Sequence, residues 1–385
     1  MARPGIPDQY LLSTSAPPPR TLIDILYDTA ARFPDAAAID DGTVALTYRE
    51  LIADIEDSVE WLAARGIGRG DRIGICMPAG SYALYVAILA TMAAGAAYVP
   101  VDADDPPEYV DLVFREAAVV AVLTEAGMVR GPGTSRGWRA TRPLARDDAW
   151  VSYTPTGSGT LQGVAVTHRS AAAFVDAEAQ LFPATGPLGP GDRVLAGWPV
   201  VLDASCAEMW LAWRHGACLV PAPPTLMRSP ADLGAWLVSR DITVVSTAPS
   251  TAAQWPPEAF ESVRLLLLGG EECPPELAER LTTAGPEVWN TYGLPETTVV
   301  ACAARLSPHG PVRIGLPLAG WDVAVVDGEG VPVDTGEVGE LVIGGVGLAR
   351  YTDPFLDAER FAPMPTLGWT RAYRSGDLVR LEPDG

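Results

Sequence analysis

Residues 73–101 read IGICMPAGSYALYVAILATMAAGAAYVPV and contain no charged side chain over 29 positions. A run of that length is long enough to span a bilayer, but prolines and glycines at positions 78, 80, 95 and 100 interrupt it. They divide it into a strand (RIGICM), a turn (PAGS), a helix (YALYVAILATMAAG) and a second strand (AAYVPV). Two fully apolar strands joined by an apolar helix predict a buried parallel βαβ unit and not a membrane span.

The alternation of helices and strands continues on both sides of this unit. Helical spacing marks TLIDILYDTAARF (21–33) and RELIADIEDSVEWLAARG (49–66), and AVVAVLT (118–124) reads as a buried strand. After residue 167, helices such as CAEMWLAWRHG alternate with strands such as ACLVPA and RLLLLGG. From about residue 312, short strands and turns such as WDVAVVDGEGVPV replace this pattern. The sequence therefore predicts an N-terminal tail (1–20), two interleaved α/β subdomains (21–311) and a β-rich subdomain (312–385).

Composition and charge narrow the classes of function. The net charge of −21 argues against binding to nucleic acid or to an anionic membrane. A local loop of backbone N–H groups can still hold phosphates in an acidic protein. The five cysteines are scattered without a CxxC pair and the three histidines lack ligand spacing, so neither disulfides nor zinc are expected. Since the N-terminus shows no secretion signal, a cytoplasmic location is predicted.

The glycine-rich stretch YTPTGSGTLQG (153–163) has the composition of a phosphate-binding loop. It is not a Walker P-loop, because the lysine is missing and VAVTH after Gly163 reads as a strand. Gln162 stands where such loops usually carry lysine. All 27 basic residues of the chain are arginines, so we interpret the missing lysine as compositional drift. By itself, the stretch is equally compatible with a surface turn.

The flanking sequence favours the phosphate loop. SYTPTGSGTLQGVAVTHR (152–169) resembles the corresponding loop of the adenylate-forming superfamily, in particular the amino-acid adenylation domains of nonribosomal peptide synthetases, which read roughly YTSGSTGxPKGVxxxHR. Other segments resemble further motifs of that family in the same order: LTYREL, AAGAAYVPVD, LDASCAEMWLAWRHGACLV, LLLLGGEECP, NTYGLPETT, GELVIGGVGLAR and YRSGDLVR. The resemblance covers roughly residues 20–385. It implies an α/β fold of two helix-covered, mainly parallel sheets packed together, with a small distorted β-barrel subdomain.

This resemblance also implies an activity and a set of site residues. In the family a carboxylate is joined to the α-phosphate of ATP and pyrophosphate is released, so the site must bring two anions together. ATP and Mg²⁺ are the implied cofactors. The residues implied to carry the chemistry are Thr154, Thr156, Ser158, Thr160, Gln162 and Glu296, the last as the Mg²⁺ ligand. Those implied to bind the nucleotide are Gly157, Gly159, Gly163, Gly270, Glu271, Asn290, Tyr292, Gly293, Thr297 and Asp377. Tyr292 would stack on adenine, and Asp377 would accept the ribose hydroxyls.

Two departures from the family pattern bear on the rate of catalysis. Gln162 lacks the mobile charge of lysine but keeps a hydrogen-bond donor, so we expect slower catalysis and not its loss. Pro295 stands where the family has a threonine that donates to the α-phosphate, and Thr297 is the nearest replacement. Structural alternatives stay open: a helix N-terminal charge for Glu296, core packing for Tyr292 and a turn carboxylate for Asp377.

Asp203 stands where amino-acid-activating members of the family keep an aspartate for the α-ammonium group. Acyl-CoA and aryl-acid ligases typically lack it, and the structural alternative is a cap for the helix that follows. The implied side-chain pocket consists of Ala204, Ala207, Thr251, Leu267, Gly269, Thr291, Val299 and Val300. None of these is charged, so we predict a substrate with an uncharged side chain, with tyrosine or another medium-to-large neutral amino acid favoured.

The resemblance also implies a segment beyond this sequence. Family members continue into a mobile C-terminal lid subdomain that supplies a lysine to the α-phosphate, and we expect this lid to be absent here. The fragment is then expected to bind ATP and amino acid better than it turns them over. The implied partner is a carrier protein with its phosphopantetheine, fused or in trans, and some relatives require a small helper protein. A carboxylate–CoA ligase and a degenerate, non-catalytic nucleotide-binding module are the alternative functions.

Overall fold

The computed structural model describes residues 6–135, 142–155, 160–182, 186–227 and 229–383, which form three β-sheets and their covering helices. The strands are β1 Ala37–Asp40, β2 Ala45–Thr47, β3 Arg72–Cys76, β4 Ala97–Pro100, β5 Ala121–Thr124, β6 Gly127–Arg130, β7 Asp148–Pro155, β8 Leu161–Thr167, β9 Arg193–Ala196, β10 Cys218–Pro221, β11 Val244–Thr247, β12 Leu265–Leu268, β13 Glu287–Tyr292, β14 Cys302–Arg305, β15 Leu316–Pro317, β16 Trp321–Val326, β17 Val338–Gly345, β18 Arg350–Tyr351 and β19 Tyr373–Arg380. The helices are α1 Leu22–Arg32, α2 Tyr48–Ala63, α3 Tyr82–Ala93, α4 Pro107–Glu116, α5 His168–Glu178, α6 Ala204–His215, α7 Pro224–Met227, α8 Pro230–Ser239, α9 Pro249–Ala252, α10 Pro275–Thr283 and α11 Pro354–Arg360.

The predicted βαβ unit lies inside a seven-stranded sheet with the strand order β18-β8-β7-β4-β3-β5-β6. β3 and β4 are parallel, with Ile73 opposite Tyr98, and α3 connects them. Leu84, Ile88 and Met92 of α3 are fully buried. A helix that is apolar on all sides must be covered on all sides, and the sheet and α2 cover it here. In the described ranges, no helix combines the length and the apolar character that a membrane crossing requires.

The second sheet has nine strands in the order β15-β14-β13-β12-β11-β9-β10-β1-β2. The strands from β13 to β1 in that order run parallel, and antiparallel strands extend the sheet at both edges. Helices α1, α3, α5 and α6 contact one another, α3 against β3 and β4 of one sheet and α6 against β9 and β10 of the other. The predicted pair of helix-covered, mainly parallel sheets is confirmed.

The start of α2 follows from local side chains. Thr47 accepts a hydrogen bond from the backbone N–H of Glu50, and the Glu50 carboxylate accepts one from the N–H of Thr47. This capping box satisfies two N–H groups that have no partner inside the helix, so the helix begins at Tyr48. It ends at Ala63, three residues before Gly66, where the sequence pattern placed its end, and Gly66 turns the chain with a φ of 74°.

The C-terminal region differs from the predicted barrel. β16, β17 and β19 form a three-stranded antiparallel sheet, which does not close into a barrel within the described residues. Leu11 of the N-terminal segment bridges to Asp322 at the edge of β16, so the tail covers this edge. β15 instead extends the nine-stranded sheet, and β18 extends the seven-stranded one. β15 and β18 thus belong to the C-terminal part of the sequence but pair with the two large sheets. The predicted domain boundaries stay predictions.

Trp321, at the start of β16, joins the small sheet to the loop that follows β13. Its indole is fully buried, and its Nε1 donates a hydrogen bond of 3.0 Å to the carbonyl of Thr297. Gly347 passes against this ring so closely that an added Cβ would lie 2.0 Å from it. Thr298 Oγ1 also donates to the Gly347 carbonyl, at 2.6 Å. Only glycine permits this approach of backbone to indole.

We expect the substitution Gly347→Ala to lower the free energy of unfolding by about 1–3 kcal/mol, because the new methyl group overpacks a rigid, buried ring. The matched control is Gly328→Ala, since a Cβ there meets no atom within 4 Å. Urea unfolding followed by tryptophan fluorescence measures both variants. Equal unfolding midpoints for the two variants would contradict the packing role of Gly347.

Candidate active site

Several of the predicted site residues lie at one edge of the nine-stranded sheet. Gly269 follows β12, Thr291 and Tyr292 end β13, and Asp203 precedes α6 on the connection from β9 to β10. Because β9 to β13 run parallel, their carboxyl ends lie at the same edge, where the loops of such folds form ligand sites. The fold therefore collects residues that are up to 89 positions apart in the sequence between Asp203 and Tyr292.

The predicted phosphate loop, residues 153–163, includes the paired ends of the antiparallel strands β7 and β8. Thr154 lies opposite Gln162, and Tyr153 lies opposite Gly163. A Cβ on Gly163 would lie 2.5 Å from Thr352 Oγ1 and 2.7 Å from the Tyr153 ring, so this glycine packs the base of the hairpin. Of the hairpin residues predicted for the site, Thr154 and Thr160 are exposed and Gln162 is half-buried, whereas Thr156, Gly157, Ser158 and Gly159 lie outside the described residues.

Glu296 lies in the short 3-10 turn Pro295–Thr297, and Tyr351 holds its carboxylate. The Tyr351 hydroxyl donates a hydrogen bond of 2.7 Å to Glu296 Oε1, and the Ala349 N–H donates to the Glu296 carbonyl at 2.9 Å. Burial, the neighbouring Tyr373 hydroxyl and Glu296 itself raise the pKa of Tyr351, which keeps its hydroxyl a donor. Tyr351 belongs to β18, which also pairs with β8. The strand that orients Glu296 therefore also supports the hairpin that contains the predicted phosphate loop.

The carboxylate of Glu296 fits Mg²⁺ in its donor chemistry. Mg²⁺ prefers hard oxygen ligands and is commonly held by one or two carboxylates together with substrate phosphates and water. In the described part of the chain, no group of three or more His, Cys, Asp and Glu side chains forms a self-sufficient metal site. A single carboxylate beside a phosphate loop is the arrangement in which a nucleotide brings the remaining ligands.

Pro295 and Thr297 take structural positions in this turn. Pro295 begins it, at a place where a missing backbone N–H costs no hydrogen bond. Thr297 is fully buried, and its Oγ1 both donates to the Leu294 carbonyl at 3.1 Å and accepts from the Leu294 N–H at 3.2 Å. The hydroxyl of Thr297 thus closes the turn with both of these hydrogen bonds, and its role as a replacement donor to the α-phosphate stays a prediction.

The residues after this turn adopt an unusual backbone. Thr298 has a φ of 61° and Val299 a φ of 65°, in the left-handed region that β-branched residues rarely enter. Gly293 allows the loop to close, because a Cβ there would lie 2.1 Å from the Val299 carbonyl oxygen. Such strain persists only where the surroundings hold it, and here it turns the Val299 N–H toward Asp203.

Asp203 carries an unsatisfied carboxylate oxygen. It occupies the N-cap position of α6, but its side chain makes no capping hydrogen bond. Its Oδ2 is buried and has no hydrogen-bond partner among the described residues. Burial, and next the charge of Glu296, raise the pKa of Asp203 to about 6, although the N–H groups of Ala204 and Val299 oppose the shift. Asp203 forms no ion pair with the described residues, and its missing capping hydrogen bond weighs against the helix-cap interpretation.

A second orphaned acceptor lies at the end of β13. Asn290 is 6% exposed, and its Nδ2 donates to the Arg313 carbonyl at 2.8 Å, while its Oδ1 is buried without a partner in the described structure. Next to it, the Tyr292 hydroxyl donates to Asp377 Oδ2 at 2.5 Å. Burial and Asp377 raise the pKa of Tyr292, so it remains a donor. These contacts bring Asp377 of β19 to the ring of Tyr292, over 85 residues of sequence.

The residues predicted for the substrate side chain form an uncharged surface around these strand ends. Ala207, Leu267, Val299 and Val300 are buried, and Ala204, Thr251, Gly269 and Thr291 are half-buried. Gly269 gives room to Thr291, since an added Cβ would lie 2.4 Å from Thr291 Oγ1. Glu271, predicted beside adenine, accepts a hydrogen bond of 3.1 Å from the Ser250 N–H and is exposed.

Two residues of this region, Tyr351 and Trp198, were not predicted from the sequence. Tyr351 reaches Glu296 across 55 residues, and no local pattern marks it. Trp198 follows β9, and the end of its ring lies 3.6 Å from the position of a Cβ on Gly270. The only signal for Trp198 was a large aromatic residue at the carboxyl end of a parallel strand.

Comparison with known proteins agrees with this geometry. The profile of a family described as AMP-binding enzyme matches residues 26–146 and 126–351. The chain belongs to this family of AMP-binding enzymes. The motifs predicted a resemblance to the adenylation domains of nonribosomal peptide synthetases. That resemblance is confirmed.

Several named proteins and solved structures are similar to this AMP-binding domain. Delta-poly-L-ornithine synthetase of Acinetobacter baumannii is 31% identical over 94% of this chain and 28% of its own length. The Klebsiella oxytoca NpsA N-terminal subdomain in complex with 3-hydroxyanthranilyl-AMSN gives a TM-score of 0.83 at 26% identity over 98% of both chains. The nonribosomal peptide synthetase FmoA3 in its AMPPNP-bound form gives a TM-score of 0.86 at 26% identity over 98% of this chain and 43% of its own. This chain spans 28% and 35% of the first two curated relatives.

The raised pKa of Asp203 predicts a loss of stability as the pH rises. Its folded-state value of about 6 lies above the ordinary 3.8, so between these values the folded state holds more protons than the unfolded state. The free energy of unfolding therefore falls toward pH 6, by about 1–3 kcal/mol for this residue. Urea unfolding from pH 5 to 7, above the sequence pI of about 4.5, measures it.

In Asp203→Asn this component of the pH dependence disappears, because the amide does not titrate. Asp111→Asn, on the exposed side of α4, is the control and keeps the wild-type profile. A wild-type profile in Asp203→Asn would contradict the buried, unpaired state of this carboxylate.

Proposed function

We propose that this domain activates an α-amino acid with an uncharged side chain as aminoacyl-AMP, using ATP and releasing pyrophosphate. The observation that carries the proposal is the orphaned Oδ2 of Asp203. An α-ammonium group supplies the cation that this buried carboxylate lacks, and it would return the pKa toward its ordinary range. Because the Asp203 carboxylate is already buried, binding of the ammonium group requires the desolvation of only one of the two charges.

The second orphaned acceptor supports a purine beside Asn290. An exocyclic amino group offers the N–H that Asn290 Oδ1 needs, and the half-buried Tyr292 ring offers a face for stacking. Asp377, exposed and bonded to Tyr292, supplies a carboxylate for the ribose hydroxyls. Glu296 would hold Mg²⁺, which neutralises the phosphates when it is bound.

The chain's own groups then align the two reactants. The β7–β8 hairpin, with Thr154, Thr160 and Gln162, would hold the β- and γ-phosphates through hydroxyl and amide donors. The substrate carboxylate oxygen attacks the α-phosphorus, the bond from the α-phosphorus to the oxygen bridging the β-phosphorus breaks, and pyrophosphate leaves. Orientation supplies most of the rate in such a reaction, because no residue needs to accept a proton.

The partners follow from the family and stay part of the proposal. A carrier-protein thiol on phosphopantetheine would accept the aminoacyl group, with the carrier fused to this domain or separate, and a helper protein is an open requirement. The predicted impairment of the 385-residue chain also stays a prediction, which the exchange rates of this chain and of a longer chain test together. Aryl acids are the alternative substrates, because the NpsA subdomain was solved with 3-hydroxyanthranilyl-AMSN.

Amino-acid-dependent exchange of pyrophosphate into ATP tests the activity. We expect exchange with a neutral α-amino acid, and a fall of kcat/KM by about 100-fold or more in Asp203→Asn, because the ammonium group loses its buried partner. Below about pH 6, protonation of Asp203 should lower kcat/KM in the wild type as well. Asp111→Asn again serves as the control.

Other outcomes of this assay point elsewhere. Exchange with anthranilate or benzoate but no amino acid would replace the substrate class. AMP release that depends on coenzyme A would indicate a CoA ligase. Nucleotide binding without exchange in this chain and in a longer chain would indicate a non-catalytic module.

The nucleotide assignment predicts different effects for the two members of the Tyr292–Asp377 pair. Asp377→Asn should weaken binding of ATP by about 10-fold or more, because the ribose loses a charged acceptor. Tyr292→Phe keeps the stacking ring and should change the affinity by less than about 3-fold. Calorimetry with ATP and Mg²⁺ measures both variants. Equal losses in the two would show that the pair acts as a structural unit and not as the ribose site.

A further inference from the structure

Trp198 stands beside the predicted substrate pocket and is half-buried. Its backbone is fixed, because Glu208 Oε2 accepts hydrogen bonds from the N–H groups of Gly197, at 3.0 Å, and Trp198, at 3.1 Å. Glu208 is itself 1% exposed, on α6. The indole Nε1 lies 3.4 Å from Ser246 Oγ at the end of β11. The ring is therefore held across the carboxyl ends of β9 and β11.

One end of the ring faces the strand that carries the predicted site. The Cη2 atom lies 3.6 Å from the position of a Cβ on Gly270, and Gly270 directly follows Gly269 of the predicted side-chain pocket. Ser246 also pairs with Leu267 in the register of β11 and β12. The indole thus borders the predicted pocket.

Trp198 also lines a cleft of about 690 Å³. Trp198 and Thr251 both line it, and Thr251 is also a predicted pocket residue. Much of the remaining wall is apolar, with Tyr85, Val200 and Met227. Asp102 and its neighbours at positions 104 and 105 also line the cleft. The cleft has room for an extended apolar group, and nothing in the proposed reaction uses it.

We propose that Trp198 is a specificity-determining residue that closes the side-chain pocket toward this cleft and limits the length of the side chain the site admits. The proposal rests on the proposed amino-acid activation, because it uses the same pocket. Its physical basis is steric: the pinned indole lies against Gly270, next to Gly269, and also lines the cleft, so a longer side chain that extends from Gly269 toward the cleft would have to displace it. Ala207 and Gly269 are small and leave space within the predicted pocket. Trp198 is therefore the large side chain that would limit the length of the substrate side chain.

The test is a length series of unbranched neutral amino acids: alanine, 2-aminobutyrate, norvaline, norleucine, 2-aminoheptanoate and 2-aminooctanoate. Pyrophosphate exchange gives kcat/KM for each member. In Trp198→Ala we expect the ratio of kcat/KM for 2-aminooctanoate over norvaline to rise by about 10-fold or more, since each newly buried CH₂ adds about fourfold in affinity. Trp198→Phe keeps an aromatic wall and should keep a profile near that of the wild type.

Met227→Ala is the matched control, because it enlarges the cleft without removing the wall. It should keep the wild-type length profile. Should Trp198→Ala fail to fold, Trp198→Leu removes the far end of the ring and keeps apolar bulk, with a smaller shift in the same direction. An unchanged profile in the folded Trp198 variants, or an equal shift in Met227→Ala, overturns the proposal.

A binding readout separates this proposal from the proposed function. The same six side chains are presented as aminoacyl-sulfamoyl adenosines, which bind without turnover, and their affinities are measured by calorimetry. The wild type could give no exchange while Trp198→Ala shifts the longest side chain that binds as an analogue. That result would overturn the proposed amino-acid activation and support the proposed role of Trp198. If no analogue binds to either protein, both proposals are overturned.

Discussion

The site depends on one strained loop, residues 293–301, and on the contacts that hold it. A valine in the left-handed region costs roughly 1–3 kcal/mol, so Val299 keeps its conformation only because its neighbours are fixed. Trp321 holds the loop through the carbonyl of Thr297, and Thr298 bonds to Gly347. The same loop presents the carboxylate of Glu296 on one side and the N–H of Val299 on the other. The small C-terminal sheet therefore fixes a loop that follows β13 of the nine-stranded sheet and carries Glu296.

The fold buries two acceptors that it does not satisfy. Asp203 Oδ2 and Asn290 Oδ1 lie at the carboxyl ends of the parallel strands, and each lacks a donor among the described residues. A buried polar group without a partner costs about 1–3 kcal/mol, and more when it is charged. A ligand that brings a donor to each recovers this cost on binding. Under the proposed function, a ligand that carries a cation and an N–H-bearing ring would satisfy both acceptors.

Sequence reasoning succeeded where the signal is local and failed where it is not. The apolar run at residues 73–101 predicts the βαβ unit, because burial on both faces needs no knowledge of distant segments. A barrel was expected for the C-terminal region, whereas its described strands β16, β17 and β19 form an open sheet, and a bridge between Leu11 and Asp322, over 300 residues apart, lies at the edge of β16. The bond from Tyr351 to Glu296 and the position of Trp198 likewise arise only after the chain has folded. Motif order predicts the site residues as a set, and that set stays a prediction, whereas the hydrogen-bond partners of each side chain, as at Thr297, needed coordinates.

The charges of the site explain how an acidic protein without lysine can handle an anionic nucleotide. None of the residues predicted for the site is basic, and Asp203, Glu271, Glu296 and Asp377 add four carboxylates to it. Under the proposed function, compensation would come from the ligands: an α-ammonium group bound by Asp203 and Mg²⁺ held by Glu296. Hydroxyl and amide donors of the hairpin would bind the phosphates without adding charge. Gln162 suits this proposal, since an amide can orient the phosphates while the cation neutralises them. Discrimination among substrates then depends on steric walls, because an uncharged pocket distinguishes neutral side chains mainly by size.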